Sequence, residues 1–67
     1  MKNWLKVERA KRNLTQAELA KALNVSRQTI NSIELGKFIP STVLALRLAN
    51  YFNVKVEDIF FLEDDEK

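Results

Sequence analysis

An all-α fold is predicted for this chain by three features of its sequence. The 67 residues suffice for a single small core, so one domain is expected. One Gly, one Pro, 46% apolar and 30% charged residues make a composition typical of a soluble helical protein. Residues that favour helix ends, namely Thr, Ser and Asn, recur between the apolar segments and divide the chain into short helices.

The first helix is predicted over Asn3 to Arg12, and Asn13 is a suitable stop. In the segment that follows, Thr15 and Glu18 form the T-x-x-E pattern of a capping box, in which each side chain pairs an otherwise free backbone N–H. A second helix therefore begins at Gln16. Its apolar contacts are expected from Leu14 and Leu19, placed as a hydrophobic staple, and from Ala20 and Leu23.

The second and third helices are predicted to be joined by a tight turn. Asn24 tolerates the left-handed conformation of a helix C-terminus, and Ser26 caps the next helix. That helix runs to about Leu35, because Gly36 interrupts it. Two short helices separated by about three residues are typical of a helix-turn-helix.

Two further helices are predicted in the second half of the chain. The fourth is capped by Ser41, runs to about Tyr51 and closes at Asn53. The last is short, over Val56 to Phe60, and Lys55 is a poor N-cap for it. The fourth helix offers these apolar residues to the core: Val43, Leu44, Leu46, Leu48, Ala49 and Phe52.

Several classes of function are excluded by residues that the chain lacks. Without Cys or His, a zinc finger, a Cys/His nucleophile, a Ser-His-Asp triad and a haem ligand cannot be built. No paired acid and base or Gly-rich phosphate loop is evident, so no catalytic residue, metal site, cofactor or small-molecule ligand is expected. The charged N-terminus and the lack of an apolar run of ~18 residues argue against a secretory leader and a membrane span. A cytoplasmic protein is expected.

Charge is distributed unevenly along the chain. Residues 1–40 contain eight Lys/Arg and three Glu, a net charge of +5, whereas residues 41–67 contain three Lys/Arg and six acidic residues, a net charge of −3. A basic end of a small domain is suited to nucleic-acid phosphates, although a solvated surface is the commoner explanation of a modest imbalance.

The third helix has two faces of different chemistry. Since each residue advances roughly 100°, Ile30 and Ile33 share one side and can dock on the core. The opposite side carries a polar set without the Lys–Glu pairs of an ordinary solvated helix: Arg27, Gln28, Asn31 and Ser32. Arg can donate two bonds to guanine, and Gln and Asn can pair with the N6 and N7 atoms of adenine. The set therefore favours base reading in the major groove over a plain solvated surface.

The segment LTQAELAKALNVSRQTINSIELGKFIPS, residues 14–41, resembles the helix-turn-helix of the phage repressor and Cro (Xre) family. Residues 2–62 as a whole resemble the small stand-alone bacterial and archaeal regulators of that family. The resemblance implies a compact five-helix, lambda-repressor-like bundle that binds double-stranded operator DNA as a homodimer. Residues 1–62 would form the DNA-binding domain, and residues 63–67 an acidic C-terminal tail that is expected to fray.

The resemblance implies how the third helix reads DNA. Arg27 and Gln28 match the main base-reading positions of the family, with Asn31 and Ser32 one turn further along. Gln16, at the start of the second helix, would bond a phosphate and brace the reading helix.

Further contacts are implied around the reading helix. Lys37, the backbone N–H groups near Phe38 and the helix N-terminus at Ser41 would lie along the phosphates. An Arg of the first helix pairs with the Glu that ends the reading helix in this family, and the matching residues are Arg9 and Glu34. That pair would lock the reading helix relative to the core.

Three positions depart from the pattern of the family. Glu8 stands where an apolar residue is common, and we expect it at the edge of the core, paired with Lys11 or Arg12. Lys55 replaces a usual Ser cap, which should weaken the start of the last helix by about 1 kcal/mol. Leu35 lies within the reading arc, where it either contacts a thymine methyl group or makes no base contact.

The end of the chain is rich in apolar side chains. More are present than one short helical turn can bury, which suggests a dimer interface, with completion of the core as an even alternative. The candidates are Val56, Ile59, Phe60, Phe61 and Leu62. The sequence thus predicts a transcriptional regulator, a repressor or autoregulator, that binds a roughly palindromic operator as a homodimer. The alternative is a protein-interaction module or antitoxin-like partner that keeps the same fold.

Overall fold

Five α-helices make up most of the computed structural model, which describes residues 1–67. They are α1 (Leu5–Lys11), α2 (Gln16–Leu23), α3 (Arg27–Glu34), α4 (Thr42–Phe52) and α5 (Val56–Ile59). Two short strands, β1 (Lys2–Asn3) and β2 (Phe60–Phe61), pair in an antiparallel sheet, and a 3₁₀ turn covers Asp64–Glu66. None of the helices is long and apolar enough to cross a membrane. The predicted five-helix, all-α fold is confirmed.

Local side-chain caps begin the three helices at the centre of the chain. The N–H of Glu18 donates to the Thr15 hydroxyl (3.0 Å), and the N–H of Thr15 donates to the Glu18 carboxylate (2.9 Å). Ser26 and Ser41 accept in the same way from backbone N–H groups at the start of α3 and α4. The predicted capping box and both serine caps are confirmed.

Left-handed residues end the helices, as the sequence predicts. Asn13, Asn24 and Asn53 have φ values of 54°, 56° and 57°, and Gly36 has a φ of 75°. Asn is one of the few side chains that tolerates this conformation, because its short amide can bond locally. Each of these residues turns the chain sharply, so that successive helices pack back on one another.

One cluster of buried apolar residues forms the core. The helix-turn-helix pair, α2 and α3, packs closely, α4 packs against α5, and all five helices contribute side chains to the same core. The cluster consists of Leu5, Leu19, Ala20, Leu23, Ile30, Ile33, Leu44, Leu48, Ala49, Phe52, Ile59 and Phe60. The prediction was wrong for Val43 and Leu46, which are 67% and 49% exposed. They lie on the outer side of α4, because Leu44 and Leu48 already turn that helix's other side inward.

The N-terminus is a strand where the sequence predicts a helix. Lys2 pairs with Phe61 and Asn3 with Phe60, so that α1 starts at Leu5 and not at Asn3. The same pairing ends α5 at Ile59, one residue before the predicted end. Strand pairing joins segments almost sixty residues apart, and no local pattern of the sequence contains that information.

The acidic tail contacts the other end of the chain. The Met1 ammonium group contacts the Glu66 carboxylate at 2.7 Å, which raises the pKa of the ammonium group and lowers that of Glu66. At the start of α5, Lys55 makes no side-chain cap, as expected, but Asp58 accepts from the Lys55 N–H (3.0 Å). That hydrogen bond supplies part of the missing cap.

Glu8 is buried, with 7% of its surface exposed, and so does not lie at the edge of the core as expected. Its carboxylate accepts from Lys11 Nζ (3.0 Å) and from Arg12 Nη1 (3.1 Å), so the predicted pairing is present with both partners. The Arg12 guanidinium also donates to the Phe52 carbonyl (2.8 Å) and lies 4.5 Å from the centre of the Phe52 ring. The Lys11 hydrogen bond, followed by that of Arg12, lowers the pKa of Glu8.

Glu8→Gln should make the fold less sensitive to acid. Because the folded-state pKa of Glu8 lies below its ordinary value of 4.5, the carboxylate contributes stability above pH 4.5 and loses it as the pH falls toward the folded-state pKa. Urea denaturation midpoints measured between about pH 7 and about pH 3 should therefore fall less steeply for Glu8→Gln than for the parent. Glu57→Gln, at an exposed position with no side-chain partner, is the control. Equal acid slopes for Glu8→Gln and the parent would contradict this role.

Candidate nucleic-acid interface

Helix α3 presents a polar face outward and an apolar face inward. Ile30 and Ile33 are 0% and 1% exposed in the core. On the other side Arg27, Gln28 and Asn31 are exposed, and Ser32 is half-buried. The structure therefore brings together the four residues that the sequence singled out on this helix. Neither Arg27 nor Gln28 has a side-chain hydrogen bond within the protein, which leaves their donors and acceptors free.

Arg9 and Glu34 connect α1 to the end of α3. The guanidinium donates through Nε and Nη2 to the two carboxylate oxygens, at 2.8 Å and 3.2 Å. A third donation, from Nη1 to the Leu14 carbonyl (2.7 Å), holds the Arg9 side chain in place. Only 15% and 5% of the two side chains are exposed, and the hydrogen bond to Glu34 raises the pKa of Arg9. This two-point contact leaves the end of α3 little freedom to rotate.

Gln16 contacts α3 from the first turn of α2. Its Nε2 group donates to Glu34 Oε1 (3.0 Å) and to Asn31 Oδ1 (3.1 Å). Both amide hydrogens are therefore used within the protein, so the side chain has no donor left for the phosphate contact that the resemblance implies. The backbone N–H of Gln16 has no protein partner and faces the free N-terminus of the helix.

The segment between α3 and α4 offers fewer backbone donors than the sequence suggested. The N–H groups of Lys37 and Phe38 both donate to the Ser32 carbonyl, at 2.9 Å and 3.2 Å. Of the backbone N–H groups near Phe38 that the resemblance places along the phosphates, these two are thus already paired within the protein, and the Phe38 ring is 48% exposed. The N–H groups of Ile39, Thr42 and Val43 have no partner within the protein, whereas that of Leu44 donates to the Ser41 hydroxyl. Lys37 and Ser41 are exposed.

A shallow cleft of about 250 Å³ lies beside the polar face of α3. It is lined by Ser26, Gln28, Thr29, Ser32 and Phe38. Thr29 falls among the core-facing positions of α3 on the helical wheel, so sequence reasoning missed it. Its hydroxyl lies 2.8 Å from that of Ser26, which turns it toward the cap and the cleft. The cleft supplies hydroxyl groups next to Gln28.

Leu35 and Asn3 lie at the opposite end of α3. Leu35 is 59% exposed and lines a second cleft with Trp4 and Phe61, separate from the cleft that Gln28 lines. Asn3 donates from Nδ2 to the Ile33 carbonyl (2.9 Å) and so ties β1 to the last turn of the reading helix. Sequence reasoning missed Asn3, since only the β1–β2 pairing places it there.

The proposed dimer residues separate into two groups. Ile59 and Phe60 are 0% and 7% exposed. These two residues therefore complete the core, and the prediction that they contact a dimer partner is wrong. Val56 and Phe61 are half-buried, and Leu62 is 51% exposed.

Two exposed apolar surfaces result from this arrangement. The first, which we call the α4 surface, contains Ile39 and Leu46, which line a shallow cleft with the half-buried Val56. It also contains Val43, which lies one helical turn before Leu46 on α4. The second, the terminal surface, consists of Trp4, Phe61 and Leu62, with the Trp4 and Phe61 rings 5.8 Å apart.

Comparisons with known proteins agree with this geometry. A family model described as helix-turn-helix matches residues 5–59. An uncharacterized HTH-type transcriptional regulator of Methanocaldococcus jannaschii is 62% identical over 66 residues, which cover 98% of this chain and 100% of the relative. Another uncharacterized HTH-type transcriptional regulator, from Archaeoglobus fulgidus, is 48% identical over 98% of this chain and 93% of the relative's length. The solution structure of the SOS-response transcriptional repressor LexA from Eubacterium rectale superposes with a TM-score of 0.76 at 41% identity, over 81% of this chain and 57% of that one.

Glu34→Ala should lower the stability of the fold by about 3 kcal/mol, because it leaves the Arg9 guanidinium largely buried without its counter-charge. Urea denaturation at neutral pH measures the difference. Glu57→Ala removes an exposed carboxylate without a side-chain partner and should stay within about 0.5 kcal/mol of the parent. If Glu34→Ala unfolded at the same urea concentration as the parent, the pair would have no structural role.

Proposed function

The chain belongs to the phage repressor and Cro (Xre) family of helix-turn-helix transcriptional regulators, and we propose that it is a repressor or autoregulator that binds a roughly palindromic operator as a homodimer. Members of this family bind DNA and are not enzymes. A DNA-binding regulator acts where the chromosome is, so we infer a cytoplasmic location.

The single observation that carries the proposal is the free polar face of α3. Arg27 and Gln28 are exposed and unpaired, while the back of the same helix is fixed by Ile30, Ile33 and Glu34. A rigid helix with free bidentate donors and acceptors suits the base edges of the major groove, because direct readout requires side chains held in register. In this role Arg27 reads guanine, Gln28 reads adenine, and Ser32 and Asn31 extend the contact by one turn.

Phosphate contacts fit the groups that flank this face. Lys37 is exposed, and the unpaired N–H groups of Ile39, Thr42 and Val43 follow it closely in the chain. Backbone N–H groups at a helix start attract anions, and Ser41 adds a hydroxyl at the same place. The backbone N–H of Gln16 gives a similar donor at the start of α2. We infer that these groups fix the protein on the duplex, whereas α3 reads its sequence.

A homodimer is supported by the α4 surface. Ile39, Val43 and Leu46 are 62%, 67% and 49% exposed, which is unusual for three large apolar side chains on one side of so small a protein. Ile39 lies between Lys37 and Ser41, so a two-fold axis beside the α4 surface would keep both phosphate-binding segments on the same duplex. Two reading helices about 34 Å apart would then specify two half-sites.

A second function is favoured by the other end of the molecule. Leu62 is exposed beside the acidic residues Asp64 and Asp65, a combination that suits a protein partner better than a nucleic acid. An antitoxin-like role through this end is compatible with DNA binding through α3. Salt dependence separates the two kinds of contact.

Arg27→Ala should weaken binding to the best DNA site by about 1–3 kcal/mol and relax the preference at one base pair. Lys37→Ala should instead weaken binding to all sequences alike, because it removes a phosphate contact and no base contact. Sites selected from a random DNA pool, followed by titration of single substitutions, measure both effects. The parent should lose ~10³–10⁵ in affinity between about 50 and about 200 mM salt if the dimer makes ~6–10 phosphate contacts.

Two outcomes would contradict this assignment. If Arg27→Ala changed neither affinity nor base preference, α3 would not be the reading helix. If the affinity of the parent for DNA were independent of salt, the phosphate contacts would be absent, and the protein-partner function would be preferred.

Leu46→Glu should convert the homodimer to a monomer, whereas Leu62→Glu should leave it dimeric. The two leucines are 49% and 51% exposed, so the introduced charge costs the folded monomer little at either position and the pair is closely matched. Sedimentation velocity, with and without a selected palindromic site, measures the mass. A parent that is monomeric in both conditions would contradict the dimer, and dissociation by Leu62→Glu alone would move the interface to the terminal surface.

A further inference from the structure

The hydrogen bonds around Gln16 have a fixed direction. Glu34 accepts from Arg9 at both oxygens, and a carboxylate has no proton to donate. The Gln16 side chain can therefore approach Glu34 Oε1 only with its amide nitrogen, which lies 3.0 Å away. The ion pair thus determines which way round the Gln16 amide is placed.

The direction continues from Gln16 to Asn31. The amide nitrogen of Gln16 carries two hydrogens, and the one not used by Glu34 donates to Asn31 Oδ1 at 3.1 Å. The oxygen of the Asn31 amide is therefore turned toward α2. Its nitrogen, Nδ2, points away from Gln16 and has no hydrogen-bond partner within the protein. Because Asn31 is exposed, this nitrogen is free to donate to a ligand.

The orientation of a surface amide is usually free. The last torsion of Asn is broad and roughly two-fold, so an unrestrained Asn can exchange its oxygen and its nitrogen at little cost. Such an Asn adapts to a donor or to an acceptor. In this structure the exchange would place Asn31 Nδ2 against Gln16 Nε2, two donors without an acceptor between them. Gln28, on the same face, has no such partner and keeps both orientations.

We propose that Gln16 is a specificity-determining residue that acts through Asn31: it fixes Asn31 as a hydrogen-bond donor and thereby makes the operator position beneath Asn31 reject cytosine. Adenine and guanine offer N7 in the major groove, guanine also offers O6 and thymine offers O4, so each of these bases can accept from Nδ2. Cytosine presents only its N4 amino group, which is a donor. This inference rests on the proposed function, since it assumes that α3 lies in the major groove.

The test compares sites selected from a random DNA pool by the parent and by three variants. Asn31→Ala identifies the position, because its base preference disappears there. At that position the parent should bind cytosine about tenfold more weakly than the best base, a typical effect of one unfavourable base contact. Gln16→Met keeps the length of the side chain but cannot hydrogen bond. In this variant the discrimination against cytosine should fall to less than about threefold, because the freed Asn31 amide can turn its oxygen to accept from cytosine N4.

Asn31→Asp provides a second and opposite change. A carboxylate can still accept from Gln16 but cannot donate to a base, and Asp and Glu accept from cytosine N4. Cytosine should therefore become the preferred base at this position. Gln28→Met is the matched control: it replaces an amide that has no internal partner, and it should alter the preference at its own position alone.

The outcomes distinguish this inference from the function on which it rests. Rejection of cytosine by the parent, its relief in Gln16→Met and its reversal in Asn31→Asp support the inference. A parent that tolerates cytosine at the Asn31 position, or a folded Gln16→Met that rejects it as strongly as the parent, overturns the inference and leaves DNA reading by α3 intact. A parent with no sequence preference overturns the proposed function and the inference together.

Discussion

The Glu34 side chain is almost completely withdrawn from water, and the arrangement of α3 depends on how its two carboxylate oxygens are hydrogen-bonded. Arg9 supplies a counter-charge and two donors, and Gln16 supplies a third donor. A buried ion pair of this kind is not by itself a large source of stability, because desolvation offsets much of the attraction. Its value here is geometric, since these contacts connect α1 and α2 to the end of α3. Glu34 therefore orients the polar face of α3, which we propose faces DNA.

Short helices explain why so many local devices are needed. The helices contain between four and eleven residues, and isolated helices of that length are marginal in water. Caps such as Thr15 and Ser26 and left-handed ends such as Asn24 fix where each helix starts and stops. Burial of the apolar faces then supplies most of the stabilisation. The same is true of α3. A local cap fixes where this helix starts, whereas contacts of Ile30, Ile33 and Glu34 with the rest of the protein fix its position.

The apolar residues divide between the core and the surface in a way that supports assembly. A chain of this size cannot bury every large apolar side chain, because its surface is large relative to its volume. Ile59 and Phe60 close the core at the end of the chain, whereas Val43 and Leu46 stay on the outer side of α4. A partner that covers Val43 and Leu46 would remove exposed apolar area next to the segment that we propose binds phosphate.

The sequence by itself determined the features that depend on neighbours within a few residues. The helix starts at Thr15, Ser26 and Ser41, the left-handed ends at the three asparagines, and the separation of α3 into two faces all follow from local hydrogen bonding and helical periodicity. The family motif further placed Arg9 opposite Glu34. These features account for most of the fold and for which residues lie on the polar face of α3.

Only the tertiary structure decided the features that depend on segments distant in the chain. The β1–β2 pairing removed Asn3 from the first helix and brought its amide to the end of α3. Hydrogen bonds to the Ser32 carbonyl used the N–H groups of Lys37 and Phe38, in the segment that was expected to contact phosphate. The burial of Ile59 and the exposure of Val43 required knowledge of which side each helix turns inward. The donor orientation of Asn31 depends on contacts that span fifteen and eighteen residues. Periodicity can place a side chain on a face, but the direction of its hydrogen bonds is determined by partners that only folding brings within hydrogen-bonding distance.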